Sequence, residues 1–166
     1  MTLEELLAKQ EIYELSCNYM RGLDRLDAEL MRAVFHDDAT VDYGFFQGSG
    51  KDFVAFAQNA LKDHLANHHM IGQVNIKVDG SQAVGEVYFQ AFHKIVRDGE
   101  EQDLFISGRY LDRYERRDGA WKISFRSEVN DWARLEADAD AYLADSGCLI
   151  GARKPEDYSY GKFARP

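Results

Sequence analysis

The residues of this chain best suited to acid–base chemistry are an aspartate near the end of an opening helix, a pair of adjacent histidines and a lone histidine on an apolar strand. They are Asp24, in the run Arg21-Gly22-Leu23-Asp24, then His68-His69, and His93. A carboxylate that orients an imidazole is a compact proton-transfer device, because it fixes the ring's tautomer and stabilises the imidazolium once the proton is taken. His93 interrupts a strand face otherwise made of Ala83, Gly85, Val87, Phe89, Ala91 and Ile95. An imidazole turned into an apolar hollow is kept neutral near pH 7 by desolvation. The same histidine in an ordinary core needs only one or two hydrogen bonds. Asp24 points inward if Tyr19 and Leu23 mark the buried stripe of the first helix, and is otherwise a solvated helix-end carboxylate. For His68-His69 two registers are open. Alternation from Val74, Ile76 and Val78 puts His68 on the apolar side, whereas a bulge near Ile71-Gly72 puts His69 there.

Two further side chains can act on a substrate oxygen. Tyr43, in Asp42-Tyr43-Gly44, is expected at the mouth side of the first strand, where its O–H can polarise a carbonyl. Arg126, between Phe125 and Ser127, can hold a developing negative charge if it lies on the concave side of the sheet. Packing alone accounts for most of the other aromatic residues, and Arg113, Arg116 and Arg117 read as a turn and a solvated face.

The elements that must position these groups follow from periodicity. Leu6, Leu7, Ile12, Leu15, Tyr19 and Leu23 recur at helical spacing, predicting a helix over 3–23, with Glu4-Glu5 at its positive end. Asp27 is an N-cap for a short helix running through Leu30, Met31, Val34 and Phe35. A strand over 40–46 and a third helix from Lys51 to about Leu65 come next. The period then changes to two, predicting strands over 70–78, 83–96, 104–114 and 121–129, joined at Asp79-Gly80, Asp98-Gly99 and Asp118-Gly119. Helices followed by hairpins predict an α+β domain with helices on one face of a curved, largely antiparallel sheet. Beyond Trp132 the chain is expected to change character, with an acidic, alanine-rich helix over 135–143. A tail follows whose aromatic residues (Tyr142, Tyr158, Tyr160, Phe163) favour docking. The expected division is a domain over 1–133 and a tail over 134–166, acting as a lid or subunit-contact arm.

Bulk properties narrow the function classes. A net charge of -9 over 166 residues argues against nucleic-acid or anionic-membrane partners. No run approaches the about 18 apolar residues of a membrane span. The acidic N-terminus does not read as a signal peptide, so a cytoplasmic location is expected. Cys17 is expected to be a small buried hydrophobe, and no disulfide with Cys148 is expected. No zinc, phosphate-loop or dinucleotide motif occurs, so neither metal nor organic cofactor is expected.

Several strings, taken together, resemble the SnoaL-like branch of the nuclear-transport-factor-2-like superfamily, and within it the scytalone dehydratases and hexachlorocyclohexane dehydrochlorinases. They are Tyr19-Met-Arg-Gly-Leu-Asp24, Val41-Asp-Tyr43, Asn67-His-His69-Met-Ile-Gly72, Phe92-His93 and Tyr114-Glu-Arg-Arg-Asp-Gly-Ala-Trp-Lys122. The resemblance implies a cystatin-like α+β barrel, a cone-shaped mixed sheet wrapped around N-terminal helices. It implies that Asp24 works with His69 rather than His68, that His93 is a second catalytic histidine bonded to Asp24 or to the leaving oxygen, and that Tyr43 and Arg126 meet the substrate. Tyr19 stands where the dehydrochlorinases carry lysine, and Arg109-Tyr110 near an asparagine of the scytalone dehydratases. Leu23 replaces a tyrosine of the latter. Tyr19 and Tyr110 are therefore expected to line the substrate site, and the substrate to be neither scytalone nor a chlorinated cyclohexane. The expected activity is a cofactor-independent, dehydratase-like lyase acting by His–Asp proton abstraction on a small hydrophobic cyclic or aromatic/polyketide-type molecule, in a homo-oligomer (dimer or trimer). An isomerase or cyclase on the same scaffold, or a non-catalytic binding module, are the rival readings. An imidazole base works only while neutral, so activity is expected to fall below roughly pH 6.

Overall fold

Thr2 starts the first helix of the computed structural model, which describes residues 1–137 and 152–156. The Thr2 hydroxyl accepts the Glu5 N–H at 3.1 Å while the Glu5 carboxylate accepts the Thr2 N–H at 2.7 Å, closing a capping box at the head of α1 (Leu3–Asp24). Ala8, Ile12, Ser16, Tyr19, Met20, Leu23 and Asp24 are its buried residues. The stripe that buries Tyr19 and Leu23 thus carries Asp24 inward with it. Asp27 caps α2 (Ala28–Ala33) by accepting the Leu30 N–H at 3.2 Å. Its own N–H donates to the Gly22 carbonyl at 2.9 Å. The two helices approach so closely that a Cβ on Gly22 would lie 2.8 Å from that of Met31. The end of α1 is therefore pinned where Asp24 is needed.

The chain continues through β1 (Phe35–Asp42), β2 (Gln47–Ser49), α3 (Gly50–Leu61), β3 (Ala66–Asp79), β4 (Gln82–Arg97), β5 (Glu100–Arg117) and β6 (Ala120–Ala137). The strands form one six-stranded sheet in the order β2-β1-β6-β5-β4-β3. β1 pairs with β6 in parallel and every other pairing is antiparallel, so the sheet is mixed. Val87, Phe89, Ala91 and His93 of β4, Tyr110, Asp112 and Tyr114 of β5, and Trp121, Ile123 and Arg126 of β6 are buried on the side that the helices cover. The α+β class and the cone-like sheet agree with expectation.

Several boundaries differ from expectation. The second helix stops at Ala33, so Phe35 opens β1 instead of closing a helix, and Tyr43 falls one residue past that strand. The third helix ends at Leu61 rather than Leu65. β3 begins four residues earlier than its apolar alternation suggested, because Asn67 and His69 occupy inward positions that a hydrophobicity pattern does not count. β6 runs through Trp132 to Ala137, where Leu135 pairs with Leu104, so Leu135–Ala137 are strand and not the start of a helix. Good helix formers were overridden there by the pairing offered by β5. The remainder of the proposed helix and the tail aromatics lie outside the described residues, as does Cys148. Cys17 is half-buried rather than buried.

Two bulges decide what faces inward. In β3 the pairing slips between Ile71 and Val74, so Asn67, His69 and Ile71 share the inner face with Val74, Ile76 and Val78. Between β5 and β6 it slips at Arg113/Tyr114, so the inward set changes from Trp121 and Ile123 to Arg126.

Candidate active site

Asp24 and His69 meet directly. The His69 Nδ1 lies 2.6 Å from Asp24 Oδ1, and both carboxylate oxygens also accept the His69 backbone N–H at 3.1 Å. The His69 side chain is only 6% exposed and that of Asp24 11%. A carboxylate accepts and does not donate, so this contact holds the His69 proton on Nδ1 and leaves Nε2 with its lone pair. The dyad borders a groove of about 430 Å³ between α1 and β3, lined also by Tyr13, Cys17, Met20 and His68. A second hollow of about 490 Å³, among Lys77, Gln82, Val84, Arg113 and Ser124, shares no residue with the dyad.

His93 lies beside His69 with ring centroids 5.1 Å apart and planes at 76°. Its hydrogen-bond partner is Asn67 and not Asp24, which corrects the first of the two expected roles and leaves the bond to a leaving oxygen as the other. The side-chain amide of Asn67 has one end 2.7 Å from His93 Nδ1 and 2.8 Å from His64 Nδ1. Its other end lies 2.7 Å from Arg153 Nη2, a group that can only donate, so the oxygen faces Arg153 and the nitrogen faces the two rings. The two amide hydrogens then go to the two Nδ1 lone pairs, and His93 carries its proton on Nε2. Side by side stand one imidazole with a free Nε2 lone pair and another with an Nε2–H, which is the pairing of a base with a donor.

Burial, with His69, His64 and Arg153 nearby, pushes the His93 imidazole down to about 3 from its usual 6.5. Unfolded, the ring takes up a proton near pH 6.5; folded, it does so only near pH 3. Its contribution to stability is therefore complete above pH 6.5 and is lost as the pH falls toward 3, at up to about 1.4 kcal/mol per pH unit. Urea unfolding at pH 7, 5.5 and 4 is expected to give a shallower acid decline for His93→Gln than for the unmodified chain. Parallel declines would assign the loss to other groups.

A second buried cluster holds three phenols and one guanidinium, and it is linked to the dyad through Glu128, whose carboxyl feels both Arg126 and His69. The Tyr19 and Tyr43 hydroxyls are 2.7 Å apart, Tyr43 stacks on Phe53 at 4.0 Å, and Tyr110 stacks on Phe89 at 4.6 Å. Tyr43 is buried against α3, not at a mouth. Burial pushes Tyr19 up to about 12 and raises Tyr43 and Tyr110 well above the usual phenol range, so all three remain neutral donors. Arg126 faces inward as expected, fully buried between Tyr19 and Tyr110, its guanidinium carbon 4.1 and 4.2 Å from the two ring centroids. Its charge is already matched: Nε and Nη2 donate to Asp112 Oδ1 and Oδ2 at 2.8 and 2.7 Å, and the Tyr114 hydroxyl donates to Oδ2 at 2.6 Å. What Arg126 offers beyond that pair is Nη1, which is buried without a hydrogen-bond partner among the described residues. Glu128, opposite Tyr110 in the β5–β6 register, completes the cluster. Burial raises its carboxyl above the usual range, partly offset by Asn130, Arg126, His69 and Tyr110.

The SnoaL-like domain description matches residues 4–127, about three quarters of the sequence. The chain belongs to the SnoaL-like family. Among solved structures it is similar to hexachlorocyclohexane dehydrochlorinase LinA-type3 from Novosphingobium barchaimii LL02, at 20% identity and TM-score 0.74, covering 82% of this chain and 95% of that one. It is also similar to a candidate scytalone dehydratase from Novosphingobium aromaticivorans DSM 12444, at 22% identity and TM-score 0.72, with 84% and 93% covered. A cystatin-like protein of unknown function from Nostoc punctiforme aligns at 24% identity and TM-score 0.62, with 75% and 92% covered. At these identities the likenesses establish the fold. No curated protein matches the chain.

Within this SnoaL-like scaffold, the expected pair Asp24–His69 and the neighbouring His93 converge, and Tyr19, Tyr43, Tyr110 and Arg126 form one adjoining cluster. Asn67, His64, Glu128, Asp112 and Arg153 were not singled out from sequence. Asn67 had a usable signal, since it lies two residues before His69 and must share its face. Glu128 had the same relation to Arg126. Arg153 had none, being 129 residues from the Asp24 carbonyl to which it donates.

Among the described residues no helix is long and apolar enough to cross a membrane.

Proposed function

We propose that this SnoaL-like protein is a cofactor-independent lyase of the dehydratase type, acting on a small hydrophobic cyclic or polyketide-type hydroxy-ketone. The observation that carries the reading is the short Asp24–His69 contact, with both carboxylate oxygens also holding the His69 N–H. In this scheme His69 Nε2 removes the proton next to the substrate carbonyl, and Asp24 stabilises the resulting imidazolium. The carbonyl oxygen, gaining charge as the C–H bond breaks, is met by neutral phenol O–H groups and by Arg126 Nη1, fixed dipoles in a water-poor setting. The electron pair of the broken C–H bond then forms the C=C bond and expels hydroxide. His93 Nε2–H donates a hydrogen bond to the departing oxygen, and the proton that lets it leave as water comes from the His69 imidazolium. His69 is then neutral again with its Nε2 lone pair available, which restores the starting state.

Because Asp112 already balances Arg126, the oxygen site suits a neutral carbonyl better than a carboxylate. The names of the dehydrochlorinase and candidate scytalone dehydratase structures, each a word for an elimination, support the same reading. The test is incubation with a panel of cyclic β-hydroxy-ketones followed by mass spectrometry. Loss of one water, abolished in His69→Ala, is the expected result. A double-bond shift at unchanged mass would replace the lyase by an isomerase. Binding without any change in the ligand would leave only a binding module.

A further inference from the structure

We propose that Arg153 is a positioning residue for the acid–base centre: by holding the oxygen of the Asn67 amide, it turns the amide nitrogen onto His93 Nδ1 and so fixes the His93 proton on Nε2. The contact set is specific. Arg153 Nη1 donates to the Asp24 carbonyl at 2.9 Å, and Nη2 donates to the His64 carbonyl at 3.3 Å and to the Asn67 side-chain oxygen at 2.7 Å. One guanidinium thus spans the end of α1, the segment before β3, and the amide between the two histidines.

The segment that carries Arg153 is tied to the same helix end. Arg25 Nη1 donates to the Ala152 carbonyl at 2.6 Å, and the Lys154 N–H donates to the Arg25 carbonyl at 2.9 Å. Lys154 Nζ reaches Asp27 Oδ1 at 3.1 Å. These bonds bracket Arg153 on both sides, so its guanidinium is held at the amide and not left to sample the surface. This part of the chain beyond β6 therefore docks on the acid–base centre.

The logic rests on what an amide can do. With its oxygen toward Arg153, Asn67 has two hydrogens for the two Nδ1 atoms of His64 and His93, and its nitrogen also lies 3.0 Å from the Ala66 carbonyl. With the amide reversed, two donors would oppose each other at Arg153, and both rings would have to carry Nδ1–H. A buried donor facing a donor loses a hydrogen bond and gains repulsion, so Arg153 decides between the two arrangements. Without it, the reversed amide becomes accessible and His93 Nε2 changes from donor to acceptor. This inference deepens the lyase reading, because the scheme needs a donor at that nitrogen. The tautomer itself exists whether or not any substrate is turned over.

The test reads that tautomer directly in the full-length protein with ¹⁵N-labelled histidine, by two-bond proton–nitrogen correlation spectra at neutral pH. His93 is assigned by the signals missing in His93→Gln. Nε2–H is expected in the unmodified chain. Asn67→Asp, which can only accept, supplies the reference pattern for Nδ1–H. Arg153→Met, which keeps the packing and removes the donors, is expected to shift His93 wholly or partly to Nδ1–H, and Arg153→Lys to restore Nε2–H. Nδ1–H in the unmodified chain would overturn the proposal, even should Arg153→Met fail to fold. So would an unchanged Nε2–H pattern in a folded Arg153→Met. An intact tautomer switch without water loss from any hydroxy-ketone would sink the lyase reading alone.

Discussion

Asp24→Asn is expected to lower turnover by about 10²–10⁴-fold, the range typical of a positioned acid–base group. The change keeps the volume of the side chain but reverses its hydrogen-bond logic. The carboxylate accepts at both oxygens, from the His69 N–H and from Nδ1. An asparagine nitrogen in the same place either opposes the backbone N–H or donates to Nδ1, which moves the ring proton to Nε2 and removes the base. The measurement is kcat on whichever hydroxy-ketone the unmodified protein dehydrates, with circular dichroism to establish that the variant is folded. His69→Ala should cost about as much, and the double variant little more than either, since the two residues act as a unit. Turnover within about threefold of the unmodified protein would end the dyad assignment.

Removing the charge of Asp112 has the largest expected effect on stability. Asp112 and Arg126 form an ion pair with both side chains at 0% exposure. Burial works to lower the Arg126 pKa, yet the charge and hydrogen bonds of Asp112 outweigh it and hold the guanidinium well above its usual value. Asp112→Asn leaves that cation unpaired in the core between Tyr19 and Tyr110. The expected loss is about 3–5 kcal/mol by urea unfolding. Replacing both partners, as in Asp112→Leu with Arg126→Met, should recover much of it, because an apolar pair has no charge to desolvate. A loss below about 1 kcal/mol in Asp112→Asn would mean that water reaches the guanidinium and screens it. The pair then could not serve as the rigid mount that presents Nη1 to a substrate oxygen.

The hairpins were legible because their determinants are local. Asp98-Gly99 and Asp118-Gly119 both adopt positive φ at each residue, at 55° and 85° and at 52° and 83°, as a tight two-residue turn requires. The inward face of β4 was legible for the same reason, since simple alternation runs unbroken from Ala83 to His93. Where a bulge intervenes, alternation fails. The choice between His68 and His69 needed the slip at Ile71/Val74, and the inward turn of Arg126 needed the slip at Arg113/Tyr114. A glycine hinted at the first; nothing local marked the second. The Asp112 partner of Arg126 follows from strand register, which periodicity does not provide. The tautomer of His93 depends on Arg153, far along the chain, and no local pattern encodes a bond of that separation.

The side-by-side alignment of β1 with β6 has a consequence for biosynthesis. Phe35 sits beside Ile123, and Val41 beside Arg126, so the earliest ribbon must wait for the latest one. While the polypeptide is still emerging from the ribosome, the greasy surface of the opening helices has no lid on that flank, and late-arriving Arg153 has not reached its amide. Chains stalled before residue 120 are thus expected to be chaperone clients and protease substrates, and competence should appear abruptly once the final ribbon is released.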